Sequence, residues 1–384
     1  MSRPDPPRAD NQGGVNGGVS IEDEASETGT PSNGRDAQTQ TPAPETRVSG
    51  AGAEHSFGRR LLAARESSVV IVLLVLCTLL YFSSARSTFY SAPNIRNLML
   101  QIALLGTFAI GETIVIITGG IDLSLGSMIA FSGMLLALFA NKFGAHGQMI
   151  AVSAAIFLAL LASVGIGGFH TLLIQKLRLP PFVVTLASLT ILRSVSLLMN
   201  DQLPITISDF PFLTNLANGR LFSNSVWAIP MPAVILAVIA IVVHLLLSRS
   251  RIGRYLYSLG SNEQATRLSG VDVGRVRLFA YGASALLGGV AGIFYAGYGG
   301  QGDPLSGGGY ELNAVAAAVI GGTSLTGGRG SVAGTLLGAC LLNVILSGIN
   351  LTINKPSLWQ GTIVGGVLLL AVLATAFQQR KNVT

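Results

Sequence analysis

Charged side chains beside long apolar runs are the first residues in this sequence that could do chemistry. Glu112 and Asp122 lie in or next to such runs, and Arg193 lies inside another. A charge at membrane depth is costly, so it normally faces a cavity, a partner group or a helix terminus. Glu112 and Asp122 are therefore candidates for lining a solute pathway. The alternative for Asp122 is a helix N-cap, because the next run begins at Leu123 or Ser124.

Residue groups typical of enzymes and nucleotide-binding proteins are missing from the sequence. It contains no G-x-x-x-x-G-K-[ST] phosphate loop, no G-x-S-x-G elbow and no H-E-x-x-H pair. The four histidines are scattered. Cys77 and Cys340 both fall in apolar runs, which indicates packing rather than a disulfide or a metal site. We expect no catalytic residue, no metal ligand and no cofactor bound by this chain.

Two glycine-rich stretches resemble each other. Residues 117–128 read Ile-Thr-Gly-Gly-Ile-Asp-Leu-Ser-Leu-Gly-Ser-Met, and residues 320–332 read Ile-Gly-Gly-Thr-Ser-Leu-Thr-Gly-Gly-Arg-Gly-Ser-Val. Each places a glycine pair at the end of an apolar run and precedes another run. Transporters are often built from two related halves whose Gly-interrupted helices meet near the substrate path. A tight glycine turn is the alternative. The candidate pathway or helix-break residues are Gly119, Gly120, Ser124, Gly321, Gly322 and Ser324.

The hydrophilic segment 248–277, SRSRIGRYLYSLGSNEQATRLSGVDVGRVR, carries a second candidate site. Asn262 offers a cap, Glu263 falls in the first turn and Gly270 ends the pattern, which predicts one short helix between two spans. Such a helix can be the docking site for a cytoplasmic partner. The alternative is an interfacial helix whose arginines reach toward lipid. The apolar face of the predicted helix is formed by Ala265, Leu268 and Thr266.

Ten apolar runs must position these residues. A helix needs about 20 residues to cross the hydrocarbon, and most of the runs are that long. Only 11% of the residues are charged, against about 25% in a soluble domain. We predict an all-α polytopic membrane protein of about ten transmembrane helices, with Gly-broken helices and two related halves. The runs cover roughly 68–85, 97–118, 122–141, 149–174, 179–199, 228–248, 278–298, 311–326, 331–351 and 358–377.

The Lys and Arg residues concentrate on one side of this predicted bundle, between the apolar runs rather than on one basic face. Nucleic acid is therefore an unsuitable partner, and the bias predicts cytoplasmic N- and C-termini. Residues 1–66 are rich in Pro, Gly, Ser and acidic residues, which predicts a disordered cytoplasmic tail. A transmembrane domain follows over 67–384, with a cytoplasmic loop at 250–276. The loops assigned to the outside hold only Arg86, Arg96, Lys142, Arg220 and Lys355.

Three motifs resemble those of ribose-type (simple sugar) permease subunits of ABC importers, the binding-protein-dependent inner membrane component family. The segment 260–273 is similar to this family's NEEAARLSGI loop. GGIDLSLGS at 119–127 and AVIGGTSLTGGRGSVAGTLLGA at 318–339 resemble two further hallmarks. Gln264 and Thr266 depart from the family pattern, in which an acid and an alanine are usual. The resemblance covers nearly the whole apolar part and leaves the N-terminal tail outside.

The resemblance implies a permease in the bacterial cytoplasmic (inner) membrane that works with three partners. A second permease copy, as a homodimer, would complete the pathway. A cytoplasmic ABC ATPase subunit would bind ATP and Mg, and an extracytoplasmic solute-binding protein would deliver a pentose, hexose or polyol. The 250–276 loop would couple the ATPase to the spans. The coupling residues implied by the family pattern are Asn262, Glu263, Ala265, Arg267, Leu268, Ser269 and Gly270.

Two other functions remain open. A branched-chain amino acid ABC permease would have similar architecture, and its cargo preference would depend on pathway residues that the sequence does not reveal. An ion-coupled secondary transporter would work without an ATPase and would need ionisable residues in the membrane. The candidates for such coupling are few, namely Glu112, Asp122 and Arg193.

Overall fold

A computed structural model describes residues 65–144, 147–222 and 228–381, and these are mostly helical. Among these residues, four strands of two residues form two antiparallel pairs, β1 with β4 and β2 with β3. The tail predicted over 1–66 lies almost entirely outside the described residues. In chain order the elements are α1 (Arg65–Tyr81), α2 (Arg86–Phe89), α3 (Ala92–Ile117), α4 (Leu125–Phe143), α5 (Gln148–Lys176), α6 (Pro181–Leu198), β1 (Ile205–Thr206), α7 (Pro211–Asn218), β2 (Arg220–Leu221), β3 (Ile229–Pro230), α8 (Met231–Arg249), α9 (Arg251–Ser261), α10 (Glu263–Leu268), α11 (Val273–Gly299), β4 (Gln301–Gly302), α12 (Tyr310–Ile320), α13 (Val332–Thr352) and α14 (Pro356–Lys381).

Each of the ten predicted apolar runs corresponds to a helix. Within the described ranges, eight helices are long and apolar enough to cross a membrane: α3, α4, α5, α6, α8, α11, α13 and the part of α14 over Pro356–Leu373. The apolar part of α1, Ser67–Tyr81, and the whole of α12 are shorter. The all-α polytopic fold is therefore confirmed, whereas a count of ten crossings stays a prediction.

The surface of the bundle is apolar where lipid would touch it. The central helix α3 is mostly buried, and α4, α11 and α13 are largely buried as well. The outer helices α5, α6, α8 and α14 expose large apolar side chains, for example Phe157, Ile191, Ile241 and Leu370. Water would disfavour so much exposed hydrocarbon, whereas lipid tails accept it.

The helices alternate in direction between two ends of the bundle. We call the end that carries residues 249–277 the arginine-rich end and the other the opposite end. At the arginine-rich end, the carbonyl oxygen of Ile117 at the close of α3 accepts a 2.9 Å hydrogen bond from the backbone N–H of Gly328. At the opposite end, the Gln148 amide at the start of α5 donates to the carbonyl of Asp209 at 2.9 Å.

Helices α4 and α12 begin near the middle of the bundle rather than at either end. Leu125, in the first turn of α4, lies against Gly288 of α11, which is roughly 22 Å along the helix axis from Val273. Gly126 of the same turn contacts Gly307, in the re-entrant segment that precedes α12. The run predicted over 311–326 therefore forms a half-length helix, and the chain enters this helix from the middle of the bundle.

Candidate functional site: two glycine turns and a helical loop

The two glycine-rich stretches share one backbone turn. At the end of α3, Gly119 has a φ of 82°, and the N–H of Gly120 donates to the carbonyl of Val115 at 3.2 Å. At the end of α12, Gly322 has a φ of 94° with the equivalent bond at 2.9 Å. This Schellman motif satisfies carbonyls left free at a helix end, and glycine adopts it without strain. The likeness in sequence is thus a likeness in turn geometry, while the relation between two whole halves stays a prediction.

Beyond the shared turn the two stretches diverge. After Gly120 the chain turns back into the bundle, and α4 starts behind Ser124. The second stretch stays at the arginine-rich end, where the N–H of Ser324 donates to the carbonyl of Arg329 at 3.0 Å. Gly321 in this stretch lies so close to Gly334 of α13 that neither position has room for a side chain. The break after α3 is therefore re-entrant, and the break after α12 is a packed turn.

Asp122 organises the re-entrant turn. One carboxylate oxygen accepts from the Ser124 N–H at 3.1 Å and from its hydroxyl at 2.6 Å, while the other accepts from the Ser284 hydroxyl of α11 at 3.0 Å. The Glu112 carboxylate accepts from the backbone N–H of Asp122 at 3.2 and 3.3 Å. All four side chains are fully buried and bonded within this chain. Their geometry favours the helix-break role over the pathway role, with Ser124 rather than Asp122 at the N-cap position.

Replacing Asp122 with asparagine is expected to lower the free energy of unfolding by about 1–3 kcal/mol, because one buried acceptor becomes a donor facing a hydroxyl or an N–H. Thermal unfolding of the solubilised protein measures this loss. Transport per folded molecule is expected to stay within about twofold of wild type. The matched control is Asp209→Asn, an exposed residue at the opposite end. Reduced transport with unchanged thermal stability would instead assign Asp122 to the pathway.

The loop over 250–276 forms two helices, α9 and α10, where the sequence pattern predicted one. The Ser250 hydroxyl accepts from the Gly253 N–H at 3.0 Å and caps α9. The Asn262 side chain accepts from the Ala265 N–H at 2.9 Å and caps α10, as predicted. Gly270, with a φ of 79°, ends α10 in the predicted place. The prediction of one helix in this loop is therefore corrected to two, because the residues of α9 were assigned to the loop.

The signal for α9 was present in the sequence. Ile252, Leu256 and Leu259 have the spacing of one helical face. Leu256 and Leu259 are buried in the core cluster that also contains residues of α3, α8 and α11. Arg249, Arg251 and Arg254 obscured the pattern, because they made the start of the segment look hydrophilic.

The residues of the predicted apolar face of α10 do not all lie on the same side of the helix. Thr266 is buried, with its hydroxyl oxygen 2.7 Å from that of Ser258 on α9. The Leu268 side chain is 82% exposed. Because α10 packs on α9 through a hydroxyl pair, the polar residue lies inside and the leucine outside. The residues of the predicted face are therefore split between two environments, and Leu268 is left open to a partner.

Glu263 ties α10 to a membrane span. Its carboxylate accepts from Arg277 of α11 at 2.5 Å, and the arginine side chain is largely buried. The second ion pair of Glu263, with Arg267 at 3.1 Å, is exposed on both sides and contributes little to stability. The Ser269 hydroxyl donates to the carbonyl of Ala265 at 2.9 Å and completes the last turn. The Glu263–Arg277 pair therefore links α10 to the first turns of α11.

Helix α9 lies directly on both glycine stretches. Gly260 faces the carbonyl of Ile117 and the N–H of Gly328, with no room for a β-carbon. The Tyr257 hydroxyl donates to the carbonyl of Gly330 at 2.9 Å, and burial raises its pKa, which keeps the donor protonated. We call this contact of α9, the end of α3 and the second glycine stretch the joint. The sequence predicted its three segments separately and gave no sign that they meet.

These features define a class of protein: a polytopic membrane transport protein with a helical loop fixed to its re-entrant core. Within the described ranges, no group of three or more His, Cys, Asp or Glu residues could hold a metal ion. The profile of the family described as branched-chain amino acid transport system / permease component matches residues 94–373. The chain belongs to this family of permease components, and it is a transport subunit.

Individual relatives agree over most of the chain. The ribose import permease protein RbsC of Escherichia coli (strain K12) is 35% identical over 300 residues, covering 78% of this chain and 90% of the relative. RbsC of Haemophilus influenzae is 35% identical, with 77% and 88% covered. The D-allose transport system permease protein AlsC of E. coli (strain K12) is 30% identical, with 76% and 86% covered. No solved structure matches. The resemblance to ribose-type ABC permeases is confirmed.

Proposed function

We propose that this chain is the membrane-spanning permease subunit of an ATP-driven importer for a monosaccharide, such as a pentose, hexose or polyol. The observation that carries this proposal is the similarity, along three quarters of the chain, to permeases named for ribose and D-allose. The family description mentions branched-chain amino acids. The named relatives favour a sugar over that cargo.

The distribution of charge supports an orientation. Positively charged loops face the cytoplasm, so the arginine-rich end would be cytoplasmic, together with the start of α1 and the end of α14. In this orientation α9 and α10 would lie within reach of an ABC ATPase subunit, on which ATP and Mg would be bound. An extracytoplasmic solute-binding protein would meet the opposite end, and a second copy of this chain would complete a homodimeric permease in the inner membrane. The N-terminal segment over 1–66 would lie on the cytoplasmic side.

The joint supplies a mechanism for coupling. Closure of the ATPase subunits would displace α10, and the Glu263–Arg277 pair would carry that motion to α11. The contacts of Gly260 would carry it to Ile117 of α3 and to Gly328, ahead of α13. Because packed interfaces move as units rather than deform continuously, the spans would rock together and alternate access to the pathway.

The three residues that the sequence offered for ion coupling are engaged in structural contacts instead. Glu112 and Asp122 hold the re-entrant turn. Arg193 donates to the carbonyls of Pro304 at 3.1 Å and Ser306 at 2.7 Å, and so holds the segment ahead of α12. These contacts favour ATP-driven transport over a proton- or sodium-coupled mechanism.

The proposal is tested by uptake of labelled ribose, D-allose and leucine into vesicles that contain the assembled transporter. Sugar uptake is expected to require internal ATP and to persist when a protonophore collapses the proton gradient. The matched control is the same vesicle preparation without this permease. Collapse of uptake by the protonophore at constant ATP would establish the ion-coupled alternative, and uptake of leucine alone would establish the amino acid alternative.

A further inference from the structure

A cleft of about 680 Å³, lined by both amide and apolar side chains, lies between α3, α12, α13 and α14. Its lining contains side-chain amides from at least three of these helices, and none of its lining residues is charged. The volume falls within the range of small-molecule sites, about 300–1,000 Å³. We call it the amide cleft, after its central residues Asn94, Asn97, Gln101, Asn313, Asn343 and Asn350.

The amide cleft leads from the opposite end of the bundle to its middle. Asn94 lies in the first turn of α3 and Asn350 in the last turn of α13, both at the opposite end. Gln101 and Asn343 lie further along the same two helices. Asn313 lies in the first turn of the half-helix α12, which begins near mid-bundle. The amides are therefore spaced along the cleft from the opposite end to the middle of the bundle.

Several of these amides have side-chain N–H and carbonyl groups that are available to a ligand. Asn343 donates to the Ala339 carbonyl at 2.9 Å, but the side chains of Gln101 and Asn313 bond to no residue in the described part of the chain. Each amide offers one carbonyl acceptor and two N–H donors. A polar group at membrane depth that is left without a partner is costly. Water or a polar ligand must therefore occupy the cleft.

Because none of the lining residues is charged, the cleft favours a neutral ligand over a charged one. A sugar hydroxyl both donates and accepts, so a neutral ring with several hydroxyls can satisfy carbonyl and N–H groups of the amides together. An amino acid zwitterion would bring two charges, each of which needs an opposite charge or strong hydrogen bonding when removed from water. The cleft therefore suits a neutral polyol better than an amino acid.

We infer that the amide cleft binds the sugar as it leaves the solute-binding protein and guides it to the middle of the bundle; this inference rests on the proposed function. A competing occupant is a helix of the second permease copy, because amides also bond helices together in membranes. The solute is favoured because the amides surround a concave space instead of forming one stripe on a flat face.

The test uses the assembled transporter in vesicles and compares Gln101→Leu and Asn313→Leu with wild type. Leucine has nearly the volume of these amides and removes the hydrogen-bonding groups. Uptake of labelled ribose or D-allose is expected to fall about tenfold in each variant, which corresponds to about 1.4 kcal/mol. The matched control is Asn215→Leu, an exposed amide on α7 outside the cleft, for which uptake is expected to stay unchanged.

A labelling experiment provides a readout that does not depend on the cargo. In a background of Cys77→Ala and Cys340→Ala, the variant Asn313→Cys is expected to react with a membrane-impermeant thiol reagent added from the outside. Absence of labelling, together with dissociation of the permease pair in Asn313→Leu, would assign the cleft to the subunit interface and overturn the inference.

Different experimental results would overturn the proposed function and the inference about the amide cleft. Wild-type uptake of leucine in place of either sugar would overturn the proposed function and the inference together. Wild-type uptake of sugar that stays within about twofold in both leucine variants would overturn the inference alone.

Discussion

Leu268→Asp is expected to reduce ATPase co-purification about tenfold or more and to reduce ATP-dependent uptake in proportion. Leu268 is a large apolar side chain that projects from α10 toward the solvent at the arginine-rich end. A buried anchor at the centre of an interface commonly contributes 2 kcal/mol or more, and a carboxylate in its place would also be desolvated without a partner. The measurement is the ratio of ATPase to permease after affinity purification.

The substitution should leave the permease itself intact, because an exposed side chain contributes little to folding. Its amount in the membrane and its thermal unfolding are therefore expected to match wild type. Leu203→Asp is the matched control, since Leu203 is an exposed leucine in a loop at the opposite end. Normal ATPase recovery with Leu268→Asp would contradict docking on α10.

Gly260→Val is expected to have the largest effect on the permease itself. A side chain at Gly260 would overlap the carbonyl of Ile117 and the N–H of Gly328, and both are backbone atoms. Overpacking commonly costs 1–3 kcal/mol, and more where the neighbours cannot move. We expect a lower unfolding temperature and, in the molecules that do fold, ATP hydrolysis with about tenfold less solute imported per ATP.

Two comparisons separate coupling from general instability. Gly282→Ala, on α11, has open space around the added methyl group and should behave as wild type. Asp122→Asn should lose stability while each folded molecule keeps its transport rate. If Gly260→Val is merely less stable and imports the same amount of solute per ATP, the joint does not transmit the motion of the ATPase.

Much of this fold follows from the length and periodicity of apolar runs, because a span must satisfy its own backbone hydrogen bonds within the membrane. All ten runs form helices for that reason. The depth at which α4 begins cannot be predicted from the length or periodicity of an apolar run. It depends on the contact between Leu125 and Gly288, two residues far apart in the sequence, and no local pattern encodes such a contact.

The candidate sites show the same division. The Asn262 cap and the end of α10 at Gly270 are local features, and the sequence predicted both. The partners of Asp122 and the exposure of Leu268 depend on how separate helices pack. The pattern therefore left Asp122 open between a pathway role and a helix end, and it grouped the exposed Leu268 with Thr266, which is buried. The amide cleft escaped notice because its residues come from separate helices, each with only a few amides among apolar neighbours.

The mid-bundle start of α4 and α12 has an electrostatic consequence. Both helices point their N-termini toward the middle, and a helix N-terminus carries roughly half a positive charge. Asp122 lies at the start of α4, and Glu311 lies in the first turn of α12. Each positive helix end therefore has an acidic side chain of the same chain beside it. A helix end that is already matched in this way does not need an anion from outside, so a solute that reaches this depth need not carry a negative charge.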